Sequence, residues 1–353
     1  MSSLPYDLLG ALERWPVLMA TLSVAVCVAL QWTKRREELG ARVSQLGRRS
    51  LELVQWALAC PLALRIVAVV RYQVQHPPEW DFLGFWLHGR SAVSGLDFYE
   101  PQSTRRMLGE LVVSDEFRRE IIDVGFWYPP PSMFWFTPLG WFERGVALPY
   151  WYALQALAAV SSIGLLWLSF RRGGRSLELS TCVLLTLSCQ ATLSTFVFAQ
   201  TTFLALAFYA AFSLVPERSW GGAWLALAAL VKPPLALVAL CSLPARRWRV
   251  GSVLLLTLGG LSLAAAGCWG VGTFLHYLRP TTVKPDWIFV EPTNQSLLGV
   301  VLRASSSSAP VSGPVAVYAL LGLIVLAVTA RRLLELVSEG EGYGPLAFGL
   351  TLS

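Results

Sequence analysis

The 353-residue chain is short of charge: only 14% of its residues are Asp, Glu, Lys or Arg, and it has three histidines. Its six cysteines (Cys27, Cys60, Cys182, Cys189, Cys241, Cys268) form no CxxC pair, and none lies in a polar loop. All sit in or at the edge of apolar runs, where cysteine acts as a small core residue, which argues against a disulfide framework or a zinc site. There is no internal repeat, and SSSSAP at 305–310 reads as a short flexible link. Nor is there one continuous basic face. The formal charge of +6 comes from arginine clusters between apolar runs, which points to loops facing anionic lipid and away from a nucleic-acid partner.

What is present is apolar: 55% of residues are hydrophobic and the mean hydropathy is positive. A soluble domain of this length does not carry such a balance. The expected class is all-α, a polytopic membrane helical bundle forming one integral-membrane domain over 1–353, with outer-face loops and short interfacial helices.

Runs 15–32 and 51–70 are near the length of about 20 residues that a bilayer span needs. Between them lies KRREELGARVSQLGRR, with six basic and two acidic residues, which the positive-inside rule places in the cytoplasm. The first run reads as a helix; a signal-peptide core is the alternative, but only Arg14 precedes it as a basic residue and no small-x-small cleavage site follows. If 51–70 crosses outward, residues 71–127 form a first extracytoplasmic loop, with short helices near 82–93 and 101–120. Clusters at Arg171 to Arg175, Arg246 to Arg249 and Arg331 to Arg332 mark further cytoplasmic ends. Parity then requires the proline-broken YPPPSMFWFTPLGWF to re-enter or lie at the interface while 149–170 crosses. It also requires 219–244 to leave and return on one side, after 177–199 and 200–215. Residues 250–269 lead to a second extracytoplasmic loop at 271–312, and 313–330 cross back. SEGEGYGPLAFGLTLS looks like the start of a further helix, so a truncated C-terminus is expected.

Lys232 is the most informative residue. It sits in WLALAALVKPPLALVAL, where an ammonium at membrane depth costs about 2.5 to 3.5 kcal/mol and therefore faces a cavity or an anionic partner. Two prolines follow it. Proline removes a helix donor and biases its predecessor away from helix, so the chain is expected to turn there and line a wet cavity. Five polar features fall on the outer side in this topology: Trp80-Asp81, GLDFYEP at 95–101, Tyr128-Pro129-Pro130-Pro131, Ala199-Gln200 and Asn294-Gln295-Ser296. Together they describe a site with one carboxylate (Asp81), neutral hydrogen-bonding groups (Gln200, Asn294, Ser296) and a deeper cation (Lys232).

In order and spacing, over about 51–303, these features resemble glycosyltransferase family 87. Its members are polyprenol-phosphate-dependent enzymes similar to bacterial alpha-1,2-mannosyltransferases. The resemblance rests on Asp81 in an early outer loop, the G-x-D-x-Y run of Gly95, Asp97 and Tyr99, and a Tyr-Pro-Pro leading into the next apolar segment. It rests further on a Gly-Gln motif, a small-residue helix ending in Lys-Pro, and an Asn-x-Ser-Leu loop. Ala199 replaces the glycine before Gln200, a change expected to alter close packing more than chemistry.

The resemblance implies a C-type glycosyltransferase fold and a lipid-linked monophosphate sugar donor, commonly polyprenyl-phosphate mannose. It implies no nucleotide or metal and no cofactor. The acceptor would be a glycolipid or glycan at the extracytoplasmic face of the inner membrane, in a bacterium. Asp81 would be the general base, Lys232 the partner of the leaving phosphate, and Gln200, Asn294, Ser296 and Tyr128 contacts to phosphate or sugar. Asp97, Tyr99, His88 and Arg90 are further candidates.

Plainer readings stand beside these. Asp81 also suits a helix cap for FLGFWLHG, and Asp97 a turn residue. Arg71, His88 and Arg90 suit headgroup contacts; Tyr128 and the tryptophans at 80, 127 and 135 suit an interfacial belt; Gln200 suits a bond to a neighbouring helix. Asn294-Gln295-Ser296 is also a glycosylation sequon, and His276, Lys284 and Asp286 suit solvation. The rival functions are a transporter or lipid flippase, a transferase using another lipid-linked sugar, and an inactive scaffold.

Overall fold

The computed structural model describes residues 41–278 except 79–80, 110, 112, 116–117, 119–120, 123–125, 127, 173–177, 217 and 233–247. Among the described residues the chain is all helical, with no strand. The elements are α1 (Ala41–Gln75), α2 (Asp81–Val93), α3 (Pro101–Gly109), a 3₁₀ turn (Pro130–Ser132), α4 (Met133–Gly140), α5 (Arg144–Arg172), α6 (Leu179–Ser188), α7 (Gln190–Phe198), α8 (Thr202–Leu214), α9 (Gly221–Val231), α10 (Trp248–Trp269) and α11 (Val271–Leu278). The runs 15–32 and 313–330, the residues Trp80, Trp127, Lys284 and Asp286, and the Asn294-Gln295-Ser296 motif lie outside the described residues.

Three described helices are long and apolar enough to cross a membrane: Arg49–Gln75 within α1, Arg144–Arg172 and Trp248–Trp269. A fourth span is available if α6 and α7, bent by 61°, are taken as one. Their outward faces carry large apolar side chains, including Leu53, Leu64 and Val67 on α1, Leu157 and Val160 on α5, and Leu256 and Leu263 on α10. Contiguous exposed apolar surface of this kind suits lipid and not water. The chain is a multi-pass membrane protein.

The run 200–215, expected to cross, forms α8, whose 13 residues reach about 20 Å, well short of a hydrocarbon core of about 30 Å. The α6–α7 break at Cys189 has a local cause in LTLSCQATLST. Its hydroxyls bond backbone carbonyls in place of the helical ladder: Thr186 to Cys182, Ser188 to Leu185, and Thr192 to Thr186. Cys189 is left extended between the two helices.

Polar contacts join the spans. Gln55 of α1 donates to the Thr181 hydroxyl and accepts from Ser180, tying α1 to α6 in a buried site. Such interhelical bonds in apolar surroundings contribute about 0.6 to 2 kcal/mol each. The largest core packs α2, α4, α5 and the junction of α7 with α8 around Phe82, Phe85, Phe136 and Trp151. A second core unites α8, α9 and α10 through Tyr209, Leu225 and Val250.

The α2–α4 crossing sets where the site begins. Gly89 lies on Gly140 so closely that a Cβ added at Gly89 would stand 2.2 Å from the Phe136 carbonyl oxygen, and one at Gly140 would stand 2.3 Å from the Gly89 carbonyl carbon. Trp86 donates to the Phe142 carbonyl at 3.0 Å and Arg90 to the Gly140 carbonyl at 2.9 Å, satisfying carbonyls at the α4 C-terminus. Phe85 stacks on Phe136 with ring centroids 4.5 Å apart. α2 is thereby fixed as a short rigid helix.

Candidate active site

Asp81 opens α2, where the partial positive charge of a helix N-terminus favours a carboxylate. Gln200 occupies the break between α7 and α8, and Lys232 ends α9. These three residues, far apart in sequence, come close enough to act on one another: the Gln200 amide favours the charged form of the Asp81 carboxylate, and the Lys232 ammonium acts on it through space. Burial pushes the Asp81 carboxyl above the ordinary carboxylate range, while the Gln200 amide and the Lys232 charge work in the opposite direction.

Each arm of the site has a local reason to be there. α9 is rich in small residues and stops where Lys232 turns extended, at φ −136° and ψ 94°, as a residue before proline prefers. The Lys232 amide still bonds Ala228, so the helix closes cleanly beneath the ammonium.

The α7 C-terminus is more elaborate. Ala199 takes the left-handed conformation at φ 54° and ψ 43°, and the next amide, that of Gln200, reaches back to the Thr195 carbonyl at 2.9 Å. This is the helix termination that glycine usually serves, because a Cβ in that conformation costs about 1 to 2 kcal/mol. Backbone conformation, more than close packing, is therefore what the glycine-to-alanine change touches. Three side chains take the exposed carbonyls of the α7 end: Tyr152 bonds Phe196 at 3.0 Å, Gln73 bonds Val197 at 3.2 Å, and Trp151 bonds Ala199 at 2.7 Å. The turn held this way presents the Gln200 amide to Asp81.

Tyr128 forms the next wall. Its hydroxyl lies 3.3 Å from that of Thr201 and its ring packs against Phe85 and Phe136, near enough for the Asp81 charge to act on it. Burial is the main reason its phenol is pushed up to about 12, so it is a neutral hydrogen-bonding group. The Tyr128 carbonyl accepts from the Tyr99 hydroxyl at 2.5 Å, and Ser132 donates to the Leu230 carbonyl at 2.5 Å, joining the Tyr-Pro-Pro segment to α9 two residues before Lys232.

The remaining candidates sit elsewhere. His88 is fully buried on α2, its ring packed against Phe126 with centroids 4.2 Å apart and planes tilted by 39°. Burial holds its ring neutral, to about 3, and neither nitrogen makes a hydrogen bond of normal geometry, although the Phe98 backbone lies close enough to favour the charged form slightly. Arg90 points to the α4 carbonyl at the far end of α2 from Asp81, about 13 Å along the axis. Asp97 accepts the Tyr99 amide at 2.9 Å in a tight turn, and its other oxygen meets His276 Nδ1 at 2.5 Å. Trp135 packs on Phe208 at the second core.

Sequence reasoning missed Thr201, Trp151 and the Asp97–His276 pair. A threonine directly after Gln200 and a tryptophan inside an apolar run were visible signals, but neither names its partner. Among the described residues no group of three His, Cys, Asp or Glu is placed to hold a metal ion.

The family model for glycosyltransferase family 87 matches residues 126–351, more than half of the chain. Tyr128, Gln200, Lys232, Asn294 and Ser296 lie inside the matched stretch; Asp81, Asp97 and Tyr99 lie before it. No curated protein and no solved structure matches the chain.

Proposed function

The chain belongs to glycosyltransferase family 87, and from that premise we propose that it transfers a hexose, mannose foremost, from a polyprenyl phosphate to a hydroxyl of a glycolipid or glycan. The observation that carries this reading is the approach of one half-buried carboxylate, Asp81, to the amide of Gln200 and the ammonium of Lys232.

Asp81 acts as the general base. The acceptor hydroxyl attacks the anomeric carbon, its proton passes to the Asp81 carboxylate, the bond from that carbon to the phosphate oxygen breaks, and polyprenyl phosphate leaves. One carboxylate suffices for such a displacement with inversion, and a placed base contributes about 10² to 10⁴ in rate. Negative charge grows on the departing phosphate, and Lys232 is the cation that meets it. The first turn of α8, which begins two residues after Gln200, adds partial positive charge on the same side. Gln200 keeps the carboxylate ionised and aimed, and Tyr128 offers a neutral hydroxyl to the sugar. Asn294 and Ser296 join from the second loop as further sugar or phosphate contacts.

The orientation follows from the ends of the spans. α1 has Arg48 and Arg49 beside its span start, α5 ends in Arg171 and Arg172, and α10 starts beside Arg249. The opposite ends, at Gln75, Arg144 and Trp269, lie nearer to α2 and the loop at 95–101: Arg144 bonds the Pro77 carbonyl and Trp269 packs on Phe98. The positive-inside rule then puts the basic ends in the cytoplasm and the Asp81 centre at the extracytoplasmic face.

The test is transfer from radiolabelled polyprenyl-phosphate mannose, and separately from glucosyl and arabinosyl polyprenyl phosphates, to lipid acceptors in membranes carrying the wild type or Lys232→Ala. Donor KM raised by Lys232→Ala while acceptor KM holds is the expected result. An effect on acceptor KM alone would remove the phosphate role, and no transfer from any of the three donors would favour a transporter or an inactive scaffold.

A further inference from the structure

Asp97 and His276 stand outside the proposed chemistry, and yet they make one of the shortest side-chain contacts described, 2.5 Å between Asp97 Oδ2 and His276 Nδ1. The two belong to opposite halves of the chain. Asp97 lies in the turn after α2, and His276 lies on α11, which follows the last described span after a turn at Gly270 with φ 83°. α11 has only Thr273 buried, so apolar packing along the helix does little to hold it. What holds it is a small group of contacts at its ends. Trp269 packs on Phe98 and Phe134, Tyr277 meets the Tyr99 ring at 5.4 Å, and His276 meets Asp97.

The Asp97 carboxylate serves two partners at once. One oxygen accepts the Tyr99 amide and fixes the turn, leaving the other for His276. The same Tyr99 donates its hydroxyl to the Tyr128 carbonyl, and Tyr128 in turn meets Thr201, the neighbour of Gln200. Phe126 packs on both tyrosine rings, with centroids 6.2 Å from Tyr99 and 5.4 Å from Tyr128. An unbroken series of contacts therefore leads from α11 to the wall of the Asp81 centre. None of its first members has a group that the transfer step uses.

We propose that Asp97 and His276 are positioning residues: their pair clamps α11 to the 95–101 turn and, through Tyr99, fixes Tyr128 against Thr201 at the Asp81 centre. This proposal rests on the reading of the Asp81 centre as the transfer site.

The test uses the full chain in detergent with two variants. His276→Phe keeps a ring and removes the hydrogen bond, while His276→Asn keeps an N–H near the Nδ1 position. Amide hydrogen exchange reads the clamp directly. In His276→Phe, exchange should rise about tenfold both at 97–100 and at 126–132, the size expected for losing a hydrogen bond to a charged group, and His276→Asn should restore it. Transfer kinetics read its consequence: kcat falling about tenfold in His276→Phe with donor KM within about twofold, and recovering in His276→Asn, since misplacing a wall of the site acts on the transition state.

Increased exchange confined to 271–278, wild-type turnover in His276→Phe, or no recovery in His276→Asn would each overturn the positioning role. If the wild type transfers no sugar, the proposed function fails, and the exchange measurement still decides whether the clamp fixes Tyr128.

Discussion

The Gln200 amide favours the charged form of the Asp81 carboxylate, so a residue in the break between two helices stabilises the charge on a carboxylate at the start of a third. As the proposed general base, Asp81 must be ionised to work, and burial alone drives it the other way. Gln200 and Lys232 are what return it toward its charged form.

Removing the donor should therefore move the pH profile. In Gln200→Ala the Asp81 carboxyl titrates higher still, so activity on the acid side is lost at a higher pH than in the wild type, while the alkaline side is unaffected. The kcat against pH profile in detergent checks this, and an acid limb that stays in place would mean that Gln200 does not act on the base.

Asp81→Asn should not destabilise the fold. Because the folded protein holds the Asp81 proton more tightly than the unfolded chain does, stability declines as pH rises from the ordinary carboxylate range through the raised value. At neutral pH the ionised carboxylate is a liability that the amide lacks. Thermal melting of the purified variant should give a Tm equal to or above the wild type at pH 7, with the difference vanishing at low pH.

Ala199 makes a graded prediction. Ala199→Gly relieves about 1 to 2 kcal/mol of left-handed strain, but loses a buried methyl worth about 0.8 kcal/mol and adds roughly 0.4 to 1 kcal/mol of unfolded-state freedom. The sum is near zero, which explains why alanine is tolerated where the family resemblance expects glycine. Ala199→Val puts a β-branched residue in the same conformation and should cost more than about 2 kcal/mol and lower turnover through Gln200. Melting of the two variants separates these outcomes.

Gly89→Ala should be severe. The new methyl would lie 2.2 Å from a backbone oxygen and has no flexible neighbour to displace, so α2 and α4 must separate, at a cost of about 3 kcal/mol or more. A lowered Tm together with lost transfer is the expected result. Gly145→Ala, with nothing within 4 Å of its added Cβ, serves as the tolerated control.

Much of this was legible in the sequence because membranes make polar residues and prolines conspicuous. Lys232 before two prolines predicts both a helix end and a cavity, and α9 does stop there. The long apolar runs at 51–70, 149–170 and 250–269 read directly as the spans α1, α5 and α10. The bend at Cys189 was less visible, because it comes from hydroxyls bonding local carbonyls inside a run whose hydropathy reads as continuous. The left-handed turn at Ala199 was hidden for a related reason, since alanine gives no sign of positive φ. Asp97 read as a turn residue, and it is one; its second partner, His276, comes from the far half of the chain, and no local pattern encodes a contact over such a separation.

The most direct test compares wild type and Asp81→Asn at equal expression in membranes supplied with radiolabelled polyprenyl-phosphate mannose. The wild type should move label to lipid acceptors, and the variant should lose about 10² to 10⁴ of that rate with its fold intact. Equal transfer by both would contradict Asp81 as the base.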